Sequence, residues 1–263
     1  MSSADQNQPN LFILGSGRSG TSMVAGLFRN AGYFMGDKLH EPRHSNPLGF
    51  FEDAAVNNIN ESILAPLIPA ATRRDGIVYR ADAPGPGQRW LARLPPDTEI
   101  KATSEQLDVI SGLTNQQPFC FKDPRFAYTL HLWRPSGGDC RFICVFRNPS
   151  EVIESILTEC RNVDYLRNFS ISVAQAAEVW FYNYRSILQN HANAGEWFFI
   201  EYDQVFEPNV LERLAAFTGA ELDRDFPTGT LKRSKPSYKI GPPIRKLYDA
   251  LRQRAQRSLD TEF

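Results

Sequence analysis

The stretch Leu11 to Phe28, LFILGSGRSGTSMVAGLF, restricts what this chain can become more than any other part of it. An apolar run, Leu11 to Leu14, stops at Gly15-Ser16-Gly17-Arg18-Ser19-Gly20-Thr21-Ser22 and resumes as Met23, Val24, Leu27 and Phe28 at helical spacing. That order predicts a strand, a glycine-rich turn and a helix. The glycines let the backbone turn tightly and approach an anion, while the N–H groups of the turn and of the first helical residues point into one concavity at the positive end of the helix dipole. The turn is a phosphate site or, at its plainest, an ordinary strand-to-helix connection.

The Walker A loop of nucleoside triphosphatases needs Gly, four residues, Gly, Lys and then Ser or Thr. Gly15 and Gly20 have that separation, but Thr21 follows Gly20, and no lysine occurs between Phe12 and Asp37. The cation is Arg18, inside the loop and three residues before the Walker position. Such a loop can hold a phosphate, yet it lacks the lysine that reaches the β- and γ-phosphates and provides poorly for Mg²⁺.

The remaining segments alternate between strand and helix. After the irregular stretch Tyr33 to Phe51, a helix is expected from about Glu52 to Leu64, with Val56, Ile59, Ile63 and Leu64 on one face and Asp53, Asn57, Asn60 and Glu61 on the other. Arg73 to Pro96 is rich in Gly, Pro and charge and reads as a surface excursion with a short helix near Gln88 to Leu94. Ser104 can cap a helix to about Leu113, Phe119 to Phe121 forms a short buried strand ending at Lys122-Asp123-Pro124-Arg125, and a helix runs through Tyr128, Leu130 and Trp133. Arg141 to Phe146 is an almost wholly apolar strand ending at Arg147-Asn148-Pro149, followed by a helix from about Ser150 to Cys160. A long helix from about Ser172 to Ala192 precedes a strand, Trp197 to Ile200, closed by Glu201-Tyr202-Asp203, and a last helix covers about Pro243 to Arg257. Such alternation implies an α/β fold with one doubly wound parallel sheet flanked by helices, whose ligands bind at the carboxyl ends of the strands. Every polar cluster named here falls at such an end.

At 263 residues the whole chain, 1–263, fits one domain, with a flexible N-terminus at 1–9. The formal charge of −1 gives no global reason to expect nucleic acid or an anionic membrane as a partner. A polar N-terminus and the lack of any 18-residue apolar run predict a cytoplasmic protein without membrane spans. Cys120, Cys140, Cys144 and Cys160 form no CxxC pair and are not grouped with the histidines, so reduced thiols are expected and no metal site.

With these clusters in view, the chain resembles the sulfotransferases that use 3′-phosphoadenosine-5′-phosphosulfate (PAPS). The loop Gly15 to Ser22 is similar to the family's 5′-phosphosulfate loop, with Arg18 as its internal cation. Val145-Phe146-Arg147-Asn148-Pro149, with Ser155 eight residues after Arg147, resembles the 3′-phosphate motif. Phe199-Ile200-Glu201-Tyr202-Asp203 is similar to the segment whose tyrosine lies by the nucleotide, and Phe121-Lys122 to the strand end that supplies a lysine to the sulfuryl group. The resemblance implies the P-loop-like sulfotransferase fold, with Gly17, Arg18, Ser19, Gly20, Thr21, Ser22, Arg147, Ser155 and Tyr202 as nucleotide ligands. It also implies a basic segment, 231–263, closing over the nucleotide with Arg233 as a further ligand. PAPS would be the donor, 3′-phosphoadenosine-5′-phosphate (PAP) the product, and a small molecule the acceptor.

Physical reasoning agrees with the resemblance. A nucleoside triphosphatase follows its second apolar strand with an Mg²⁺-holding aspartate, whereas the strand here ends in Arg147, which suits a phosphate monoester. Plainer readings are an ion pair of Arg147 with Glu151 or Glu154, an exposed helical Ser155, a Lys122 paired to Asp123, and a solvated charge run around Arg233.

Sulfuryl transfer also needs a base. Many members of the family place a histidine two residues after the lysine, where this chain has Pro124; other branches use a glutamate after the first helix, which points to Glu52. Phe50 and Phe51 would desolvate Glu52 and raise its pKa, with His44 and Asp123 in reserve; Glu52 and Asp53 can also simply favour a helix start. Two rival functions remain, a small-molecule kinase with a degenerate loop and a non-catalytic PAP-binding protein. Alcohol, phenol, sugar hydroxyl and amine acceptors are all open.

Overall fold

The computed structural model describes residues 8–43, 46–68, 83–227 and 238–261, together with the backbone of 73–74 and 77–78. Four strands, β1 (Asn10–Leu14), β2 (Cys120–Lys122), β3 (Cys140–Phe146) and β4 (Glu196–Glu201), pair in parallel in the order β2-β1-β3-β4. β1 lies at the centre, with Phe12 opposite Phe121 on one side and Phe142 on the other. Outside this sheet the described strands are a two-residue antiparallel pairing, Arg73–Arg74 with Ile77–Val78.

Each strand is apolar on both faces because helices cover both, as a parallel sheet requires. Phe12, Leu14, Phe121, Phe142, Cys144, Phe146 and Phe199 turn to one side; Leu11, Ile13, Cys120, Ile143, Val145, Phe198 and Ile200 turn to the other. The first layer contains α2 (Ala54–Leu64), α4 (Phe126–Trp133), α5 (Pro149–Asn162), α6 (Val173–Ser186) and α8 (Pro242–Asp260). The second contains α1 (Thr21–Gly26) and α7 (Pro208–Thr218), while α3 (Ser104–Leu113) packs beside α2.

Local signals explain most boundaries. Asp53 caps α2, its Oδ1 accepting from Ala55 N (2.8 Å) and Val56 N (3.1 Å). Thr103, one residue before the expected cap, opens α3 with a capping box to Gln106, and Ser172 does the same for α6 with Gln175. Asn148 caps α5 with Pro149 at its first position. α6 ends in a π-helical segment, Ile187–His191, which completes the long helix predicted to Ala192.

The polar face of α2 lies where the sequence puts it, and Asn57, Asn60 and Glu61 are buried there because α4 and the segment around Arg89 cover it. The part of Arg73 to Pro96 that is described is no surface excursion, since Leu91, Ala92 and Leu94 are buried around a 3₁₀ turn, Arg89–Leu91. α7 is a further element, signalled by Pro208 at its start and by Gly219, in the left-handed conformation (φ 67°), at its end.

Candidate active site

All four parallel strands deliver their carboxyl ends to one region. β1 runs into the turn 15–20, where Gly15 (φ 148°) lies so close to β3 that a Cβ would stand 2.1 Å from the Val145 carbonyl oxygen. Gly20 (φ 93°) has the Tyr202 ring, from the end of β4, 2.2 Å from where its Cβ would be. Side chains at these two positions are excluded by backbone and by ring, so the glycines serve close approach as well as turning. The Trp90 ring covers Gly17 in the same way, at 2.3 Å.

Two described non-glycine residues have positive φ, Arg18 (72°) and Phe51 (52°). Both adjoin predicted site residues, and left-handed backbone at a side-chain-bearing residue costs about 1–2 kcal/mol. Arg18→Gly should therefore unfold about 1 kcal/mol later than Arg18→Ala in denaturant. Equal stability of the two would show that the loop carries no strain.

Arg18 and Ser155, expected at opposite ends of the nucleotide, meet: Arg18 Nε donates to Ser155 Oγ (3.1 Å), and Nη1 lies 3.6 Å from Glu159 Oε2. α5 thus brings Ser155 to Arg18 of the glycine-rich loop.

Lys122 ends β2 with its ammonium buried, donating to Ser22 Oγ (3.1 Å) and ion-paired with Glu52 Oε1. The plain pairing with Asp123 is not made. Burial alone would raise the Glu52 carboxyl, but the charges of Lys122 and Arg125 outweigh it and hold the carboxyl below its ordinary value. The expectation that aromatic neighbours raise Glu52 is thereby corrected. Burial also lowers the Lys122 ammonium, against the pull of Glu52. A buried ammonium paired with a buried carboxylate is costly to separate unless another anion takes the carboxylate's place beside the ammonium.

Asp123 faces away from the loop and is consumed by structure. Its Oδ2 accepts from Asn57 Nδ2 and Asn60 Nδ2 (both 2.9 Å), and its Oδ1 from Arg125 N (2.8 Å) and Nη1 (2.9 Å). Arg125 continues to Glu61 (2.6 Å), which also holds the backbone of Gly87 and Arg89 (both 2.9 Å) and so seats Trp90 over the loop.

At the end of β3, Arg147 Nε donates to Glu151 Oε2 (2.6 Å), the plain ion pair, and its guanidinium lies 4.7 Å above the Tyr202 ring. Yet Nη2 of Arg147 is buried without a hydrogen-bond partner among the described residues, an orphaned donor that suits one strong acceptor. Tyr238 N donates to Ser150 Oγ (2.8 Å), which places Tyr238 at the start of α5. Arg233 and His44 lie outside the described residues.

The family model for sulfotransferases matches residues 9–224, which includes every described strand end just named. The chain belongs to the sulfotransferase family. Among solved structures it is similar to a sulfotransferase domain from the curacin biosynthetic pathway, at 16% identity over 94% of this chain and 99% of that one, with a TM-score of 0.51. It is also similar to the sulfotransferase domain of the Synechococcus PCC 7002 olefin synthase, at 20% identity over 97% and 95% of the two chains, with a TM-score of 0.47. At such identities the likeness concerns the fold. None of the curated proteins compared with the chain matches it.

For this sulfotransferase-family chain, sequence reasoning reached Arg18, Glu52, Lys122, Arg147 and Tyr202, which the structure gathers around one loop. It did not single out Trp90, which carried no signal, and it placed Asn57 and Asn60 on a helix face without naming Asp123 as their partner. Among the described residues no group of three or more His, Cys, Asp and Glu could hold a metal ion, and no helix is long and apolar enough to cross a membrane.

Proposed function

We propose that this chain transfers the sulfuryl group of PAPS to a hydroxyl or amine of a small-molecule acceptor, in line and without a metal ion. The observation that carries the donor is Arg147: a buried guanidinium at the end of β3, stacked over Tyr202, with Nη2 lacking an acceptor. A 3′-phosphate would fill that need, with Tyr202 beside it, and Arg233 is proposed as a second ligand there. The 5′-phosphosulfate is assigned to the loop Gly17, Arg18, Ser19, Gly20, Thr21 and Ser22, with Ser155 reached through Arg18. Bound PAPS supplies an activated sulfuryl group.

The chain's own part is electrostatic and acid–base. Lys122, already hydrogen-bonded to Ser22 of the loop, neutralises charge developing at the transferring group. Glu52, relieved of Lys122 as the ammonium turns to that charge, regains basicity and takes the acceptor's proton. All four cysteines are free, as in a reducing compartment, which supports our placing the protein in the cytoplasm. We read residues 1–263 as one domain.

Arg147→Ala should weaken PAP by about 1.5–3 kcal/mol per charge-assisted bond lost, roughly 10- to 150-fold, and leave an analogue without the 3′-phosphate almost unaffected in calorimetric titration. Equal affinity of the unmodified chain for the two nucleotides would overturn the donor assignment. Transfer of labelled sulfate from PAPS, followed across an acceptor panel by mass spectrometry, separates an enzyme from a PAP-binding scaffold. EDTA should leave that transfer unchanged, and its abolition by EDTA would disprove the metal-free reading.

A further inference from the structure

A line of hydrogen bonds runs from the core to the rim of this site, and its direction is set at the core end. Trp133 Nε1 can only donate, so Asn60 presents its oxygen there (2.9 Å), where the Thr129 hydroxyl also donates (2.8 Å). Asn60 must then turn its amide nitrogen to Asp123 Oδ2 (2.9 Å). Arg125, donor only, occupies Asp123 Oδ1, so Asp123 is an acceptor at both oxygens. Asn57 therefore meets Asp123 with its own amide nitrogen (2.9 Å), and its oxygen faces His40 Nε2 at 2.9 Å. A hydrogen on His40 Nε2 follows, and in the neutral ring Nδ1 is left as the proton acceptor.

The same residue is tied to Glu52. His40 N–H donates to the Glu52 carbonyl (2.9 Å), Ala54 N donates to the Lys38 carbonyl (2.9 Å), and Lys38 N donates to Asp53 Oδ2 (2.9 Å), a short ladder that sets the two segments side by side. The Glu52 carboxyl feels the His40 charge as well as those of Lys122 and Arg125. His40 is half-buried. A tautomer enforced by four buried residues is more than packing of a rim histidine requires.

We propose that His40 is the second station of the acceptor's proton: Glu52 takes it from the acceptor and passes it to His40 Nδ1, which returns it to solvent. The inference rests on the sulfuryl-transfer reading above. In the step, the acceptor's O–H or N–H bond breaks as its new bond to sulfur forms. The sulfur–oxygen bond to the 5′-phosphate breaks with its electron pair going to the nucleotide, and the proton goes to Glu52 and then to His40. A carboxyl that has taken the acceptor's proton must lose it again before the next turnover, and an imidazole whose Nδ1 is left as an acceptor offers that proton a way out. His40 acts through Glu52 and touches no reacting atom, which makes it a relay and positioning residue.

The test uses the full chain with PAPS and an acceptor found active in the panel. His40→Gln, which can still donate to Asn57, and His40→Ala should each lower kcat about tenfold or more in dilute buffer free of imidazole, with PAP affinity unchanged. Added imidazole should restore His40→Ala and leave Glu52→Gln unrescued, because that variant lacks the first station. Full turnover of His40→Gln without imidazole would overturn the relay, as would a defect in His40→Ala that imidazole does not relieve, which would mark a purely structural role. An unmodified chain that moves no sulfate from PAPS would overturn the parent reading and the relay together, and is told apart from the other outcomes because it needs no variant.

Discussion

Glu52→Gln should lower turnover roughly 10²–10⁴-fold while PAP affinity stays within about twofold of the unmodified chain. Glutamine preserves the size of the side chain and an oxygen for Lys122, but it cannot take a proton. The loss should depend on the acceptor: it should be large for a simple alcohol, whose proton must be removed as the bond to sulfur forms, and smaller for an acidic phenol or an already nucleophilic amine. Turnover of an alcohol at the unmodified rate by a folded, PAP-binding Glu52→Gln chain would remove Glu52 from the mechanism. Asp123 is a poor substitute, because both its oxygens are already committed to Asn57, Asn60 and Arg125.

Lys122→Met should have two effects that can be measured apart. Removing a preorganised positive group from the transferring centre should reduce kcat about 10²–10³-fold. Removing one partner of a buried pair also strands the other: the Lys122 side chain is 1% exposed and that of Glu52 13%, so the uncompensated carboxylate should destabilise the fold by about 3–5 kcal/mol. Urea unfolding reads the second effect. Adding Glu52→Gln to Lys122→Met should restore much of the stability, since a neutral amide replaces the stranded charge, and should restore none of the turnover. A double variant no more stable than Lys122→Met would show that the pair is not electrostatically coupled.

The glycine turn, the four strands and the clusters at their ends were legible because each is written in a short window. Apolar runs of strand length, glycines at fixed offsets and a proline at a helix start act through nearest neighbours, and both Asn148-Pro149 and the Ser172 capping box formed where such signals predict. α7 had the same kind of signal in Pro208 and Gly219. The burial of the polar face of α2 was not legible for a different reason: a helical period separates apolar from polar positions, yet it cannot show that a second layer covers the polar side.

What the sequence by itself determined is an α/β chain with a glycine-rich strand-to-helix loop lacking the Walker lysine, and Arg18, Lys122 and Arg147 at three strand ends. What only the tertiary structure decided is which of these charges meet. Lys122 pairs with Glu52, 70 residues away, instead of its neighbour Asp123, and Arg18 meets Ser155 across 137 residues. The reason is physical: helix and strand propensities are local, whereas the choice of ion-pair and hydrogen-bond partners depends on burial, which exists only once β2-β1-β3-β4 has formed and its helices have closed over it. In that interior an unpaired charge is costly, and the Nη2 of Arg147, which has no acceptor among the described residues, marks the proposed position of the nucleotide's 3′-phosphate.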